Sequence, residues 1–193
     1  RKLSTAKGIG VMLRKARSEA ESRAVWLRMT YGTKAQQCNG VLWSTNQVLT
    51  AAHCVDAAWL HRDFAVEKIK MSNAVHGPVI SAPSLREIAV DPLWIQRGGG
   101  GGDVALLSFS SALLSASGVI APPVLGTPEL GEGAAIHTIL KDPQGFHEYS
   151  TRLELNRANA MHSFFQGPGR SGHSGGGIFK PGGELIGVMS EAD

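Results

Sequence analysis

The sequence predicts an all-β protein. Stretches rich in strand-favouring residues recur at fairly even spacing through most of the chain. Turn-forming residues separate these stretches, and no heptad or helix-repeat pattern competes with them. The chain has 193 residues, 42% apolar and 18% charged, enough to bury a core and unlike a disordered composition.

The exception comes first. Residues 9–22 read as a short helix, with Val11, Met12 and Leu13 apolar and Arg14, Lys15, Arg17 and Glu19 on a polar face. The strand pattern then begins with Ala24 to Tyr31 and turns at Gly32-Thr33. Val41 to Trp43 and Gln47 to Thr50 follow, joined by the turn Ser44-Thr45-Asn46. Phe64 to Met71 and Leu85 to Val90 are further strands, the second stopped by Asp91-Pro92. Five glycines, Gly98 to Gly102, precede Asp103 and the apolar strand Val104 to Phe109. Residues 110–123 are small and end in Pro122-Pro123, which marks a connection between halves. Beyond it the expected strands are residues 134–140, 148–155, 159–164, 177–179 and 185–189, the last two joined by a turn at Gly182-Gly183.

Charge narrows the function classes. Residues 1–28 carry eight Lys/Arg against Glu19 and Glu21, a net of +6. Residues 29–193 carry eleven against fourteen acids, a net of −3. The basic character therefore belongs to an N-terminal arm. A nucleic-acid protein would carry it as a stripe on the folded body, so no nucleic-acid partner is expected. No apolar run approaches a bilayer span, so no membrane span is expected, and no long apolar core follows the basic opening residues as in a signal peptide. The seven histidines show no HxxxH or HExxH spacing, so neither a metal nor another cofactor is expected.

One stretch has the look of a reaction centre: Gly172-His173-Ser174-Gly175-Gly176. Glycines on both sides let the backbone turn sharply and bring its N–H groups towards a developing negative charge. Alone, it reads equally well as a plain turn. Two other residues change the balance. His53 follows the small residues Thr50-Ala51-Ala52, and Asp103 stands just before an apolar strand. A serine hydroxyl is a weak nucleophile until a base takes its proton, imidazole suits that task near neutral pH, and a carboxylate can hold the ring in the right tautomer.

The residues around these three resemble the trypsin/chymotrypsin-like serine peptidases, in a bacterial-type form. Cys38-Asn39-Gly40-Val41-Leu42-Trp43 and Val48-Leu49-Thr50-Ala51-Ala52-His53-Cys54 are similar to the family's histidine block. Ile88 to Pro92 with Gly102 to Leu107 resemble its aspartate block. Gly172 to Gly176, then Gly183 to Ser190, resemble its serine block and the following substrate-binding strand. The resemblance implies a two-barrel chymotrypsin-like fold, with the second barrel incomplete at the C-terminus. Residues 1–22 would then be a basic arm, 23–110 a first barrel carrying His53 and Asp103, 111–123 the connection, and 124–193 a second barrel carrying Ser174. It also implies a serine endopeptidase with Ser174 as nucleophile, His53 as general base then acid, Asp103 as orienter, and the amides of Gly172 and Ser174 as oxyanion hole. Ser190, Glu191 and Ala192 would be the edge to which a polypeptide substrate adds. Cys38 and Cys54 would form a disulfide, which implies a secreted or periplasmic protein.

The match departs from trypsin in places. His173 stands where trypsin has the aspartate that pairs with a freed N-terminus. Pro168 lies near the position of trypsin's acidic pocket base, and Gln166 to Ser171 contain no carboxylate, only Arg170. Cleavage after Lys or Arg is therefore not implied. The alternative reading is a catalytically silent homologue acting as a protein-binding module. Besides a substrate, the partners to expect are a protein inhibitor, or a second copy joined through an uncovered sheet edge.

Overall fold

A computed structural model of the chain describes residues 22–71, 79–96, 102–113, 122–126, 135–141, 148–158, 163–166 and 172–190. The expected helix over 9–22 lies, except for Ser22, outside these residues, as do Gly98 to Gly101. The described strands are β1 (Ala24–Tyr31), β2 (Lys34–Ser44), β3 (Gln47–Thr50), β4 (Ala65–Met71), β5 (Val79–Ser81), β6 (Leu85–Val90), β7 (Ala105–Phe109), β8 (Ala135–Lys141), β9 (Glu148–Ala158), β10 (Ser163–Gln166), β11 (Gly177–Phe179) and β12 (Leu185–Val188). A 3-10 helix (Ala52–Trp59) follows β3, and a short helix, α1 (Pro92–Gln96), follows β6. The all-β expectation holds.

The strands form two sheets. A seven-stranded sheet has the order β5-β4-β1-β2-β3-β7-β6, and a five-stranded sheet the order β10-β9-β8-β11-β12. Their ladders are antiparallel throughout. Gly32 closes the β1–β2 hairpin at φ +56°, a conformation side chains disfavour, and its N–H donates to Asp63 Oδ2 at 2.6 Å. The Gly182-Gly183 turn forms as expected. Lys180 N–H donates to Glu184 O at 2.9 Å and Gly183 N–H to Lys180 O at 2.8 Å.

The main core lies against the seven-stranded sheet. Val25, Leu27 and Met29 alternate along β1 and pack with Leu42, Val48, Ile69, Leu107 and Phe109. Each such side chain stabilises the fold by about 1.5–3 kcal/mol. A second cluster joins the sheets: Ala24 and Val41 from the first meet Phe179 and Leu185 from the second.

Four local differences from the sequence expectations have physical reasons. β2 starts at Lys34, not Val41, because the ladder with β1 recruits polar residues that carry no apolar signal (Tyr31 pairs with Lys34). Val66 and Ile69 are both buried, although a regular strand would face them oppositely. A register shift opposite Arg28 and Met29 leaves Glu67 as the extra residue of a bulge and changes the parity of the strand. The 3-10 helix was not signalled because it has no side-chain cap of its own. In the five-stranded sheet β9 runs on to Ala158, so the following strand is Ser163–Gln166 rather than 159–164.

Candidate active site

Pairing of β3 with β7 brings His53 to Asp103. Thr50 pairs with Ala105, so the chain leaves β3 and enters β7 at the same end of the sheet. His53 lies three residues after Thr50 and Asp103 two residues before Ala105. Gly102, at φ +66°, makes the turn that delivers Asp103; a Cβ there would sit 2.8 Å from Leu93 Cβ.

Asp103 is 8% exposed, and each of its carboxylate oxygens meets a donor of His53. Oδ1 accepts from the His53 main-chain N–H at 2.8 Å, and Oδ2 meets His53 Nδ1 at 2.7 Å. The first bond explains the uncapped 3-10 helix: a carboxylate from another strand satisfies one of its free N–H groups. The second selects the ring tautomer with a proton on Nδ1, which makes Nε2 the acceptor nitrogen of the ring. Burial pushes the Asp103 pKa up. Hydrogen bonds from the His53 ring, the Ser190 hydroxyl and the His53 main chain, with the attraction of the His53 charge, more than offset this, and the carboxyl ends below its ordinary value. The His53 ring also lies near Trp94 of α1, with centroids 6.5 Å apart; Trp94 Nε1 donates to Asp56 Oδ1 at 2.8 Å.

Ser174 joins this pair through Ser190. The Ser174 hydroxyl donates to Ser190 O at 3.1 Å, and the Ser190 hydroxyl donates to Asp103 Oδ2. Ser190, expected at the substrate edge, has contacts the sequence does not signal: its side chain serves the buried carboxylate and its carbonyl receives the Ser174 hydroxyl. Its place just after β12, at the end of the sheet that faces Asp103, puts it there.

The Gly172–Gly176 loop rests on β2. Asn39 N–H donates to Ser174 O at 2.7 Å, and Asn39 Nδ2 donates to Gly172 O at 2.7 Å. Thr50 Oγ1 in turn donates to Asn39 O at 2.8 Å. Gly175, at φ +89°, lies so close that a Cβ would fall 2.1 Å from Asn39 O and 2.3 Å from Thr50 Oγ1. Exchange of bonds with the chain after β12 (Gly175 N–H to Met189 O, 2.7 Å; Met189 N–H to Gly176 O, 2.8 Å) fixes the loop from the other side. His173 is fully buried and its carbonyl accepts from Gly176 N–H at 3.1 Å. The Cys38–Cys54 disulfide, S–S 2.07 Å, lies beside both parts: Cys54 Sγ is 4.0 Å from His53 Nε2 and 3.9 Å from Ser174 O.

Of the residues expected from sequence, His53, Asp103, Gly172, Ser174, Ser190, Cys38 and Cys54 therefore converge. Pro168, Arg170, Glu191 and Ala192 lie outside the described residues. Sequence reasoning missed Asn39 and Trp94. Asn39 had one signal, its place next to the cysteine. Trp94 had none, since its nearness to His53 depends on how α1 folds back.

The architecture is that of the trypsin-like serine proteases. The chain belongs to the trypsin family, whose sequence model matches residues 14–134. Among solved structures it is similar to Deg5 (17% identity, 100% of this chain and 88% of that one, TM-score 0.66). It is also similar to a protease from M. tuberculosis in its active form (17%, 95% and 76%, TM-score 0.63). A third is a scabies mite inactivated protease paralogue (21%, 88% and 82%, TM-score 0.62). Identities this low speak for the fold. No match to the chain appears among curated protein sequences. Among the described residues, no helix is long and apolar enough to cross a membrane.

Proposed function

We propose that the chain is a serine endopeptidase in which Ser174 is the nucleophile, His53 the general base then acid, and Asp103 the orienter. One observation carries the reading: Asp103 holds His53 by both ring and main chain, a grip that fixes the imidazole's direction and its tautomer together. In the reaction, Ser174 Oγ attacks the substrate carbonyl carbon as its proton passes to His53 Nε2. The amides of Gly172 and Ser174 receive the oxyanion. His53 then gives the proton to the leaving amine, the peptide C–N bond breaks, and an acyl-enzyme remains. Water, deprotonated by the same imidazole, hydrolyses it and restores Ser174. The substrate main chain adds beside Ser190, Glu191 and Ala192 as an extra strand. The disulfide supports action in an oxidising compartment, secreted or periplasmic.

A second reading has its own observation. The Ser174 hydroxyl is turned to the Ser190 carbonyl, which suits a silent protein-binding homologue or a resting rotamer. Cleavage of a mixed peptide library separates the two. The proposal expects defined cleavage products that vanish with Ser174→Ala. An intact library with the unmutated chain supports the silent reading.

A further inference from the structure

We propose that Asn39 is a positioning residue for the oxyanion-binding loop: its side-chain amide holds the Gly172 carbonyl turned away from the place where an oxyanion forms. This rests on the peptidase reading above and adds a residue to it.

The loop needs a holder. Gly172 and Gly175 sit at φ +95° and +89°, and glycines rotate their flanking peptide planes with little resistance. If the Gly172–His173 peptide turned over, Gly172 O would trade places with the His173 N–H, and the loop would present an acceptor beside the Gly172 and Ser174 amides that should receive the negative charge. The neighbour of Ser174 in sequence is a buried histidine, with no carboxylate in the loop to act as an anchor.

Asn39 adds a hold at the Gly172 end of the loop, where the bonds to Met189 do not reach. It clamps two carbonyls, Gly172 O through Nδ2 and Ser174 O through its main-chain N–H, both at 2.7 Å. These flank the one peptide plane that carries the Ser174 N–H. The His173 carbonyl of that plane is taken by Gly176 N–H, so the Ser174 N–H points the opposite way. The assignment of Asn39 Nδ2 is forced, because a carbonyl oxygen accepts only from a donor, and the amide nitrogen is the donor end. Asn39 itself is well anchored. It is 1% exposed, pairs with Trp26 within the sheet, accepts from Thr50 Oγ1, and adjoins the disulfide at Cys38. Gly172 is half-buried, and without the Asn39 donor its carbonyl loses the bond that sets the direction of this peptide, so the turned-over form gains population.

Asn39→Asp keeps the shape and removes the donor at neutral pH, yet regains an O–H donor once its carboxyl is protonated. The test measures the rate at which a fluorophosphonate labels the unmutated chain and this variant across pH, together with their melting temperatures. The inference expects labelling about 10-fold slower or more near pH 7.5. It also expects the variant-to-unmutated rate ratio to climb towards one as pH falls through the carboxyl's titration. The ratio divides out the acid loss of the His53 base that both chains share. A variant that labels as fast as the unmutated chain, or a ratio that stays flat with pH, overturns the inference and leaves the peptidase reading standing. If Asn39→Asp does not fold, Asn39→Ala decides, with the same slowing expected in kcat and KM within about 2-fold; an unchanged kcat overturns it. An unlabelled unmutated chain removes the peptidase reading and this inference with it.

Discussion

Asp103 grips His53 twice, at the ring through Oδ2 and at the main chain through Oδ1, with distances of 2.7 and 2.8 Å. One carboxylate thus ties the start of the 3-10 helix to the entry of β7. The same contact that orients the imidazole also satisfies a buried helix end, so structure and proposed chemistry share one residue.

Asp103→Asn separates the two roles. The amide oxygen can still accept from the His53 main-chain N–H, so the fold is expected to survive. The amide NH2 then faces Nδ1, favours the wrong tautomer, and puts the proton on Nε2. Peptidase activity should fall by about four orders of magnitude. Kinetics at neutral pH, with circular dichroism to verify folding, check this; an active variant would contradict the role given to Asp103.

The lowered Asp103 pKa has a consequence for acid stability. The folded value lies below the unfolded one, so the unfolded chain binds the proton more readily. Its contribution is therefore complete above the ordinary carboxyl value of 3.8 and is lost as pH falls through the depressed folded value. Ser190→Ala removes one of the lowering hydrogen bonds, so the folded value moves back towards the unfolded one, and that variant should lose less stability in acid, over a narrower span that ends at higher pH. Melting temperatures from about pH 6 downwards measure it, with coincident acid limbs as the opposing result.

The disulfide links residues 16 apart in sequence. Closing a loop of that size stabilises the fold by about 3 kcal/mol. Replacing both cysteines with serine should lower the melting temperature by about 6–12 °C in a chain of this length. A shift below about 2 °C would show that the loop is held by its other contacts.

Gly175→Ala should be severe. The added Cβ meets a backbone oxygen at 2.1 Å, not the flexible end of a side chain, and φ is +89°. A cost of about 2–4 kcal/mol is expected, with loss of fluorophosphonate labelling. Denaturant unfolding gives the first and gel fluorescence the second. Normal stability would mean the loop does not pack on Asn39 as described.

The strand pattern was legible wherever apolar residues carried it, as in β1, β3 and β7. It failed where pairing recruited polar residues (Lys34 to Gln37) or where a bulge at Glu67 reversed the alternation. His53, Asp103 and Ser174 were legible because their neighbours resemble a known family. The contacts that hold them were not. Asn39 to Gly172 spans 133 residues of chain and Ser190 to Asp103 spans 87, and single-sequence periodicity carries nothing over such distances.

The central claim is that Ser174 is activated by the His53–Asp103 pair. Its most direct test is a mass spectrum of the protein after exposure to a fluorophosphonate, followed by peptide mapping of the adduct. The account predicts one adduct per chain, on Ser174, absent in Ser174→Ala and strongly slowed in Asp103→Asn. An unmodified chain, or an adduct on another residue that persists in Ser174→Ala, would contradict it.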